Sequence, residues 1–276
     1  MTSDFDQIVD ALGRDGFLCD RMPTVIEDIT AEHAPWFAYA RWLNRIALAV
    51  HADATAALPG EALKSPRALA TQLLPRMLAA FQGAIILAER GMSAESLTLS
   101  RGNFEAAFWI GYFARLPDEA AAQFTSESLK SLIGLDKASL DHGSLTPADR
   151  VHTTERRDSR IKERAALNLE RLDISELAKK AGMATDYLHY KLLCADSAHS
   201  TMLSVFNYLN IEENGEVVGH QIGPDGEQAR RAVITACDPI QSAITAFKTI
   251  TPSAVPPERW SEYEAGLDYL ASEGAI

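Results

Sequence analysis

Cysteine, positive charge and long apolar runs are all scarce in this 276-residue sequence, and each scarcity excludes a class of protein. The three cysteines, Cys19, Cys194 and Cys237, are too few and too scattered for a disulfide framework or a CxxC metal site. They fit reduced thiols in a cytoplasm. Lys and Arg number 26 against 38 Asp and Glu, which leaves a net charge of −12. General binding to nucleic acid or an anionic membrane needs a basic face, and this balance does not supply one. No apolar segment reads as the ~18 residues of a membrane span. The N-terminus MTSDFDQIVDALGRDG lacks the basic start and apolar run of a signal peptide. The expectation is a cytoplasmic protein with no membrane partner.

What is present is helical periodicity, in a chain whose 47% apolar and 23% charged residues are ordinary for a globular protein. Trp36, Tyr39, Leu43, Ile46 and Val50 form one stripe. Ser65 and Pro66 open a helix that runs to Arg90, with Gly91 as its stop and a kink or restart at Pro75. Ser93, or alternatively Ser96, caps the next helix, and Pro117 ends it. A further helix follows, and TPADR then restarts the chain, with Thr146 at the cap, Pro147 at the first helical position and Asp149 at the capping-box position. In RVHTTERRDSRIKERAA at most one face is covered. That segment reads as a solvated helix with pairs such as Asp158–Lys162, or as a contact for nucleic acid or a protein through its arginine excess.

From Thr185 to about Asn207 the spacing predicts one long apolar helix. The period then changes. Asn214-Gly215 marks a hairpin turn, strands are confined to 208–222, and helices over 227–249 and 257–272 close the chain. The expected fold is all-α: a bundle of eight or more helices with one small β-hairpin. It forms a single domain over 1–276, in which 1–33 pack on a helical core of 34–276.

Within LSRGNFEAAFWIGYFARLP, the residues Leu97, Arg101, Glu105, Phe108 and Tyr112 share a helix face. Two charges on so apolar a helix need each other or a partner, because an unpaired buried charge costs several kcal/mol. They read either as an ion pair that fixes helix register or as part of a site. Downstream, Leu188, Leu192, Ala195, His199 and Met202 form an apolar stripe, which predicts that His199 faces the core. Tyr190 lies about half a turn away from His199 on a straight helix, so the two line one pocket only if the helix bends, around Ser197 to Ser200.

Three local motifs carry less. RIALAVH fits the loose spacing of Arg45 and His51 in helical ribonucleases. ISELAKKAGMATDYLHYKL mimics a helix-turn-helix through Ala178, Gly182 and Leu188, but a long second helix argues against it. Asp186–His189 and Asp196–His199 have the i, i+3 spacing of helical metal sites, yet no matching second carboxylate pair accompanies them.

Taken together, the Arg-x-x-x-Glu helix, SELAKKAGMATDYLHYKLLCADSAHST and the hairpin resemble an uncharacterised bacterial all-helical family over roughly residues 70 to 240. The resemblance maps Arg101 and Glu105, then Tyr190, Cys194, His199 and Thr201, with Cys194 standing where Ser is commoner. It implies that the Arg/Glu helix packs on the Tyr/His helix. If that site is catalytic, Arg101, Glu105, Tyr190 and His199 suit metal-independent hydrolysis of RNA phosphodiesters, with His199 moving the proton and Arg101 holding the oxyanion. The other classes are a non-enzymatic interaction protein, whose polar residues are structural, and a DNA-binding regulator. The sequence implies no cofactor and no metal. The partners it allows are RNA or a protein, a second copy of the chain included.

Overall fold

Helices form here where apolar spacing and end-capping residues agree. The structure is a computed structural model and describes residues 4–198, 201–212, 214–220 and 223–272. Among these residues twelve α-helices and one two-stranded antiparallel sheet give an all-α bundle with a small hairpin. α1 (Asp4–Asp15) and α2 (Met22–Glu32) share a satellite cluster of Ala11, Cys19 and Met22, and Ile29 of α2 enters the main core.

The centre is built from α3 (Ala34–Ala56), α4 (Pro66–Glu89), α5 (Ser93–Arg115) and α11 (Ala229–Ile250). α5 is the hub, with its largest interfaces on α11 and α4. Phe37, Phe81, Phe104, Phe108 and Phe247 are sealed in this core, each burial stabilising by about 2 kcal/mol. Ser65 caps α4 by accepting the Ala68 N–H at 3.2 Å, and the helix runs through Pro75 without restarting. By length and composition α4 is apolar enough to cross a membrane, a property the sequence reading did not assign to it. In the fold it lies against α3, α5 and α11.

Gly91, at φ +70°, reverses the chain after α4. Its carbonyl accepts the Asp225 N–H at 2.9 Å, and a Cβ there would lie 2.8 Å from that nitrogen. Ser93 is not the cap expected of it. It is the first residue of α5, and its hydroxyl donates instead to the Asp225 carbonyl at 3.1 Å.

α6 (Pro117–Asp141) and α7 (Pro147–Leu167) pair as a helical hairpin. Thr146 caps α7 by accepting the Asp149 N–H, as its position predicts. Asp136 of α6 is 1% exposed and receives Arg156 at 2.6 Å together with Arg160. Asp158 takes Arg157 rather than Lys162, and Glu163 takes Lys64. Three of the α7 arginines are therefore held by carboxylates of the protein, Arg156 and Arg160 by the one carboxylate of Asp136 and Arg157 by its neighbour Asp158.

The long helix expected from Thr185 to Asn207 is instead three pieces: α9 (Asp186–Leu193), a π turn (Cys194–Ala198) and α10 (Met202–Phe206). Thr201 starts α10 with a reciprocal cap, accepting the Ser204 N–H while the Ser204 hydroxyl oxygen accepts the Thr201 N–H. The Thr201 hydroxyl also donates to the Ala195 carbonyl at 2.6 Å. Ser and Thr that compete for backbone partners end a helix here that apolar spacing alone would continue. Strands β1 (Leu209–Ile211) and β2 (Val217–His220) follow, then α11 and α12 (Pro257–Ser272). α8 (Ile174–Ala181) sits against α5 where a Cβ on Gly111 would meet Ala181 Cβ at 3.1 Å, so the close approach needs glycine.

Three members of the stripe predicted to face the core face outward. Leu188, Leu192 and Met202 are 62%, 55% and 74% exposed, whereas Tyr190 and Leu193 are buried. The anchoring is done by the Tyr190 ring, which meets Phe108 edge-on at 6.1 Å. Periodicity identifies a face without saying which face docks. His199 lies outside the described residues.

Candidate polar site between α5 and α9

Arg101 and Glu105 lie one turn apart on α5, at the rim of the core rather than inside it. Their side chains are 26% and 35% exposed, while Leu97, Phe108 and Tyr112 on the same face are buried. The i, i+4 spacing brings Arg101 Nη2 to 2.9 Å from Glu105 Oε1. α9 supplies Tyr190, whose hydroxyl accepts from Arg101 Nη2 at 2.9 Å and donates to Glu105 Oε1 at 2.9 Å. The π turn supplies Cys194, whose sulfur accepts Arg101 Nε–H at 3.1 Å. The guanidinium carbon lies 5.1 Å from the centre of the Tyr190 ring, and Tyr187 stacks on that ring at 6.0 Å.

The electrostatics follow from this closure. Burial pushes the Tyr190 hydroxyl well above its ordinary value, and its bonds to Cys194 and Glu105 push the same way. Burial opposes the Arg101 charge, but the bond to Cys194 and the nearby Glu105 carboxylate outweigh it and hold the cation more firmly. Arg101 is therefore a fixed positive charge pinned at Nε and Nη2. Nη1 has no partner among the described residues.

The structure thus brings Arg101, Glu105 and Tyr190 together and adds Cys194. A shared pocket for Tyr190 and His199 requires a bend around Ser197 to Ser200; the described helix departs from α geometry earlier, at Cys194, where it widens to π geometry, a local form often found at functional sites. Thr201 is spent on capping. Arg45 and His51 lie on α3, away from the residues gathered around Arg101. Arg45 is exposed on α3, and the His51 ring bonds Thr55 of the same helix at 3.2 Å.

A second set of titratable groups was only half legible. Asp186 and His189 were noted for their spacing, but Asp238 comes from α11, some fifty residues on. Burial pushes both carboxyls up, with His189 pulling them back and Asp186 adding to the rise at Asp238. The His189 ring stands edge-on to Phe104 at 6.4 Å, and no group of three or more His, Cys, Asp or Glu among the described residues is placed to hold a metal ion. α8, Gly182 at φ +76° and α9 do form a helix-turn-helix-like pair, and α9 is short, which removes the argument from a long second helix. The outward residues of α9 include Leu188 and Leu192, which are not the side chains of a helix that reads a charged groove.

The model of DUF5677, a family of unknown function, matches residues 67–217, from the start of α4 to the first residue of β2. No curated protein and no solved structure matches the chain. The matched span carries both halves of the polar site, Arg101 with Glu105 and Tyr190 with Cys194, and it covers more than half of the sequence. The chain belongs to this family of unknown function, DUF5677.

Proposed function

We propose that the site is an oxyanion-holding centre that cleaves RNA phosphodiesters without a metal ion. The observation that supports this reading is the state of Arg101: a half-buried guanidinium fixed on two nitrogens, with Nη1 still free to donate among the described residues. A preorganised cation of this kind stabilises charge that develops on a phosphate oxygen, and it needs no reorganisation during reaction. Glu105 and Tyr190 are positioning residues for it. In the reaction the ribose 2′-oxygen bonds to phosphorus and the bond to the 5′-oxygen breaks. The 2′-hydroxyl proton goes to a base and the 5′-oxygen receives one. His199 is assigned that proton transfer from its place in the sequence, five residues after Cys194.

The test is cleavage of single-stranded RNA with chelator present. Wild type should cleave, whereas Arg101→Ala and His199→Gln should not, at matched thermal stability. No cleavage by wild type, or equal cleavage by all three, overturns the reading. A second reading, a non-enzymatic interaction protein, is favoured by one observation. Leu188, Leu192, Met202, Leu203 and Val205 are all more than half exposed within one stretch of sequence, an unusual density of apolar surface. An inactive but folded wild type would put that reading first. DNA binding ranks third, on the apolar outer face of α9 and the net charge of −12.

A further inference from the structure

A cavity of about 470 Å³ opens between the first turn of α5, the segment from Phe206 to Leu209 and the loop leading into α11. That volume lies in the range of small-ligand pockets. Phe17, Leu97 and Phe206 supply apolar wall. Most polar groups around the cavity are already committed. Arg231 pairs with Asp196 at 2.9 Å, Asn207 Nδ2 donates to the Asp196 carbonyl at 2.8 Å, and the Ser93 hydroxyl donates to the Asp225 carbonyl at 3.1 Å.

Two carboxylates keep acceptor capacity. Glu95 accepts the Tyr208 hydroxyl at 2.5 Å, and Asp225 accepts the Gln228 N–H at 3.1 Å. Neither has an ion-pair partner among the described residues, and both line the cavity. The positive end of α5 favours an anion in general, but Glu95 in the first turn already meets it. The cavity therefore offers negative charge and open acceptors, and Arg231, the one lining cation among the described residues, is neutralised from outside by Asp196. An anion entering it would face two carboxylates with no free cation among the described residues. An ammonium brings three donors and the missing charge.

We propose that this cavity binds a small organic amine in its ammonium form, with the head group against Glu95 and Asp225 and the apolar body against Phe17, Leu97 and Phe206. The site is separate from the Arg101 network, with its Glu95 six residues before Arg101 on α5, and does not rest on the function proposed above.

Calorimetric titration with 2-phenylethylamine, 2-phenylethanol and phenylacetate tests this, because the three share one body and differ in the head group. The amine should bind saturably, and the alcohol and the acid about tenfold more weakly or not at all. Glu95→Gln and Asp225→Asn should each weaken the amine about fivefold while leaving the alcohol unchanged. Phe206→Ala, which touches no charge, should weaken amine and alcohol alike. If the amine fails to saturate, binds no better than the alcohol, or binds both folded carboxylate variants as it binds wild type, the assignment is overturned. Should a carboxylate variant melt early, the ranking of the three ligands on wild type still decides.

Discussion

Arg101 Nε donates to Cys194 Sγ across 3.1 Å, so the guanidinium of α5 is anchored where α9 widens into its π turn. Cys194→Ala removes that acceptor and should cost about 1 kcal/mol, since Arg101 is exposed enough for water to replace part of the bond. Cys194→Ser keeps an acceptor and should cost less. Thermal melting of the two variants checks the order, and an alanine variant as stable as the serine one would show that the contact contributes nothing.

Because Arg101 and Glu105 sit at the rim, Glu105→Ala should cost about 1–2 kcal/mol, below the roughly 3–5 kcal/mol of breaking a sealed pair. Tyr190 bonds both partners, so the three residues should behave as one unit. In a double-mutant cycle Arg101→Ala and Glu105→Ala together should cost less than their sum. Strict additivity would show that the pair is not coupled.

Asp136 gives a pH-dependent contribution. Burial alone would raise its carboxyl, but the bonds from Arg156 and Arg160 win and hold it below the ordinary carboxylate range. A depressed folded value stabilises the protein above the unfolded value and is lost as pH falls through the folded one. Asp136→Asn should cost about 2–3 kcal/mol at neutral pH and little in strong acid. Denaturant titrations at pH 7 and in acid measure the difference. An equal loss at both would contradict the ion pairs.

Asp238 has the opposite sign. Its carboxyl is raised by burial, with Asp186 adding to the rise. The unfolded chain ionises first as pH rises, so this group destabilises the fold above the ordinary carboxylate value, and the penalty is complete above its folded value. Asp238→Asn should therefore be more stable than wild type at pH 7, with the advantage vanishing toward pH 3. Melting curves across that range test it, and an advantage that persists in acid would point to packing instead.

Two glycines of α5 separate helix propensity from packing. A Cβ at Gly102 meets nothing within 4 Å, so Gly102→Ala should stabilise by about 0.5–1 kcal/mol. Gly111→Ala presses on Ala181 and Met183 of the α8 region and should destabilise by about 1–3 kcal/mol. Opposite signs in chemical denaturation would separate the two effects; a stabilising Gly111→Ala would mean that α8 can move away at no cost.

The helical class, the hairpin at Asn214-Gly215 and the caps at Ser65 and Thr146 were written in the sequence, because each depends on local spacing and on side chains bonding their own backbone. The pairing of Arg101 with Glu105 was legible for the same reason, since i, i+4 is a property of the helix itself. Tertiary structure decided what local rules leave open. It turned Leu188 and Leu192 outward and Tyr190 inward, because a helix face docks where a neighbouring surface fits it, and that surface belongs to α5. It did not make the break after Leu193, which comes from a local device, the Thr201–Ser204 cap, that the apolar spacing from Thr185 to Asn207 masks. It brought Asp238 to the side of Asp186, and it paired Arg156 and Arg160 with Asp136. Charge and apolar periodicity are local sums, whereas the partner of a side chain is set by segments distant in sequence.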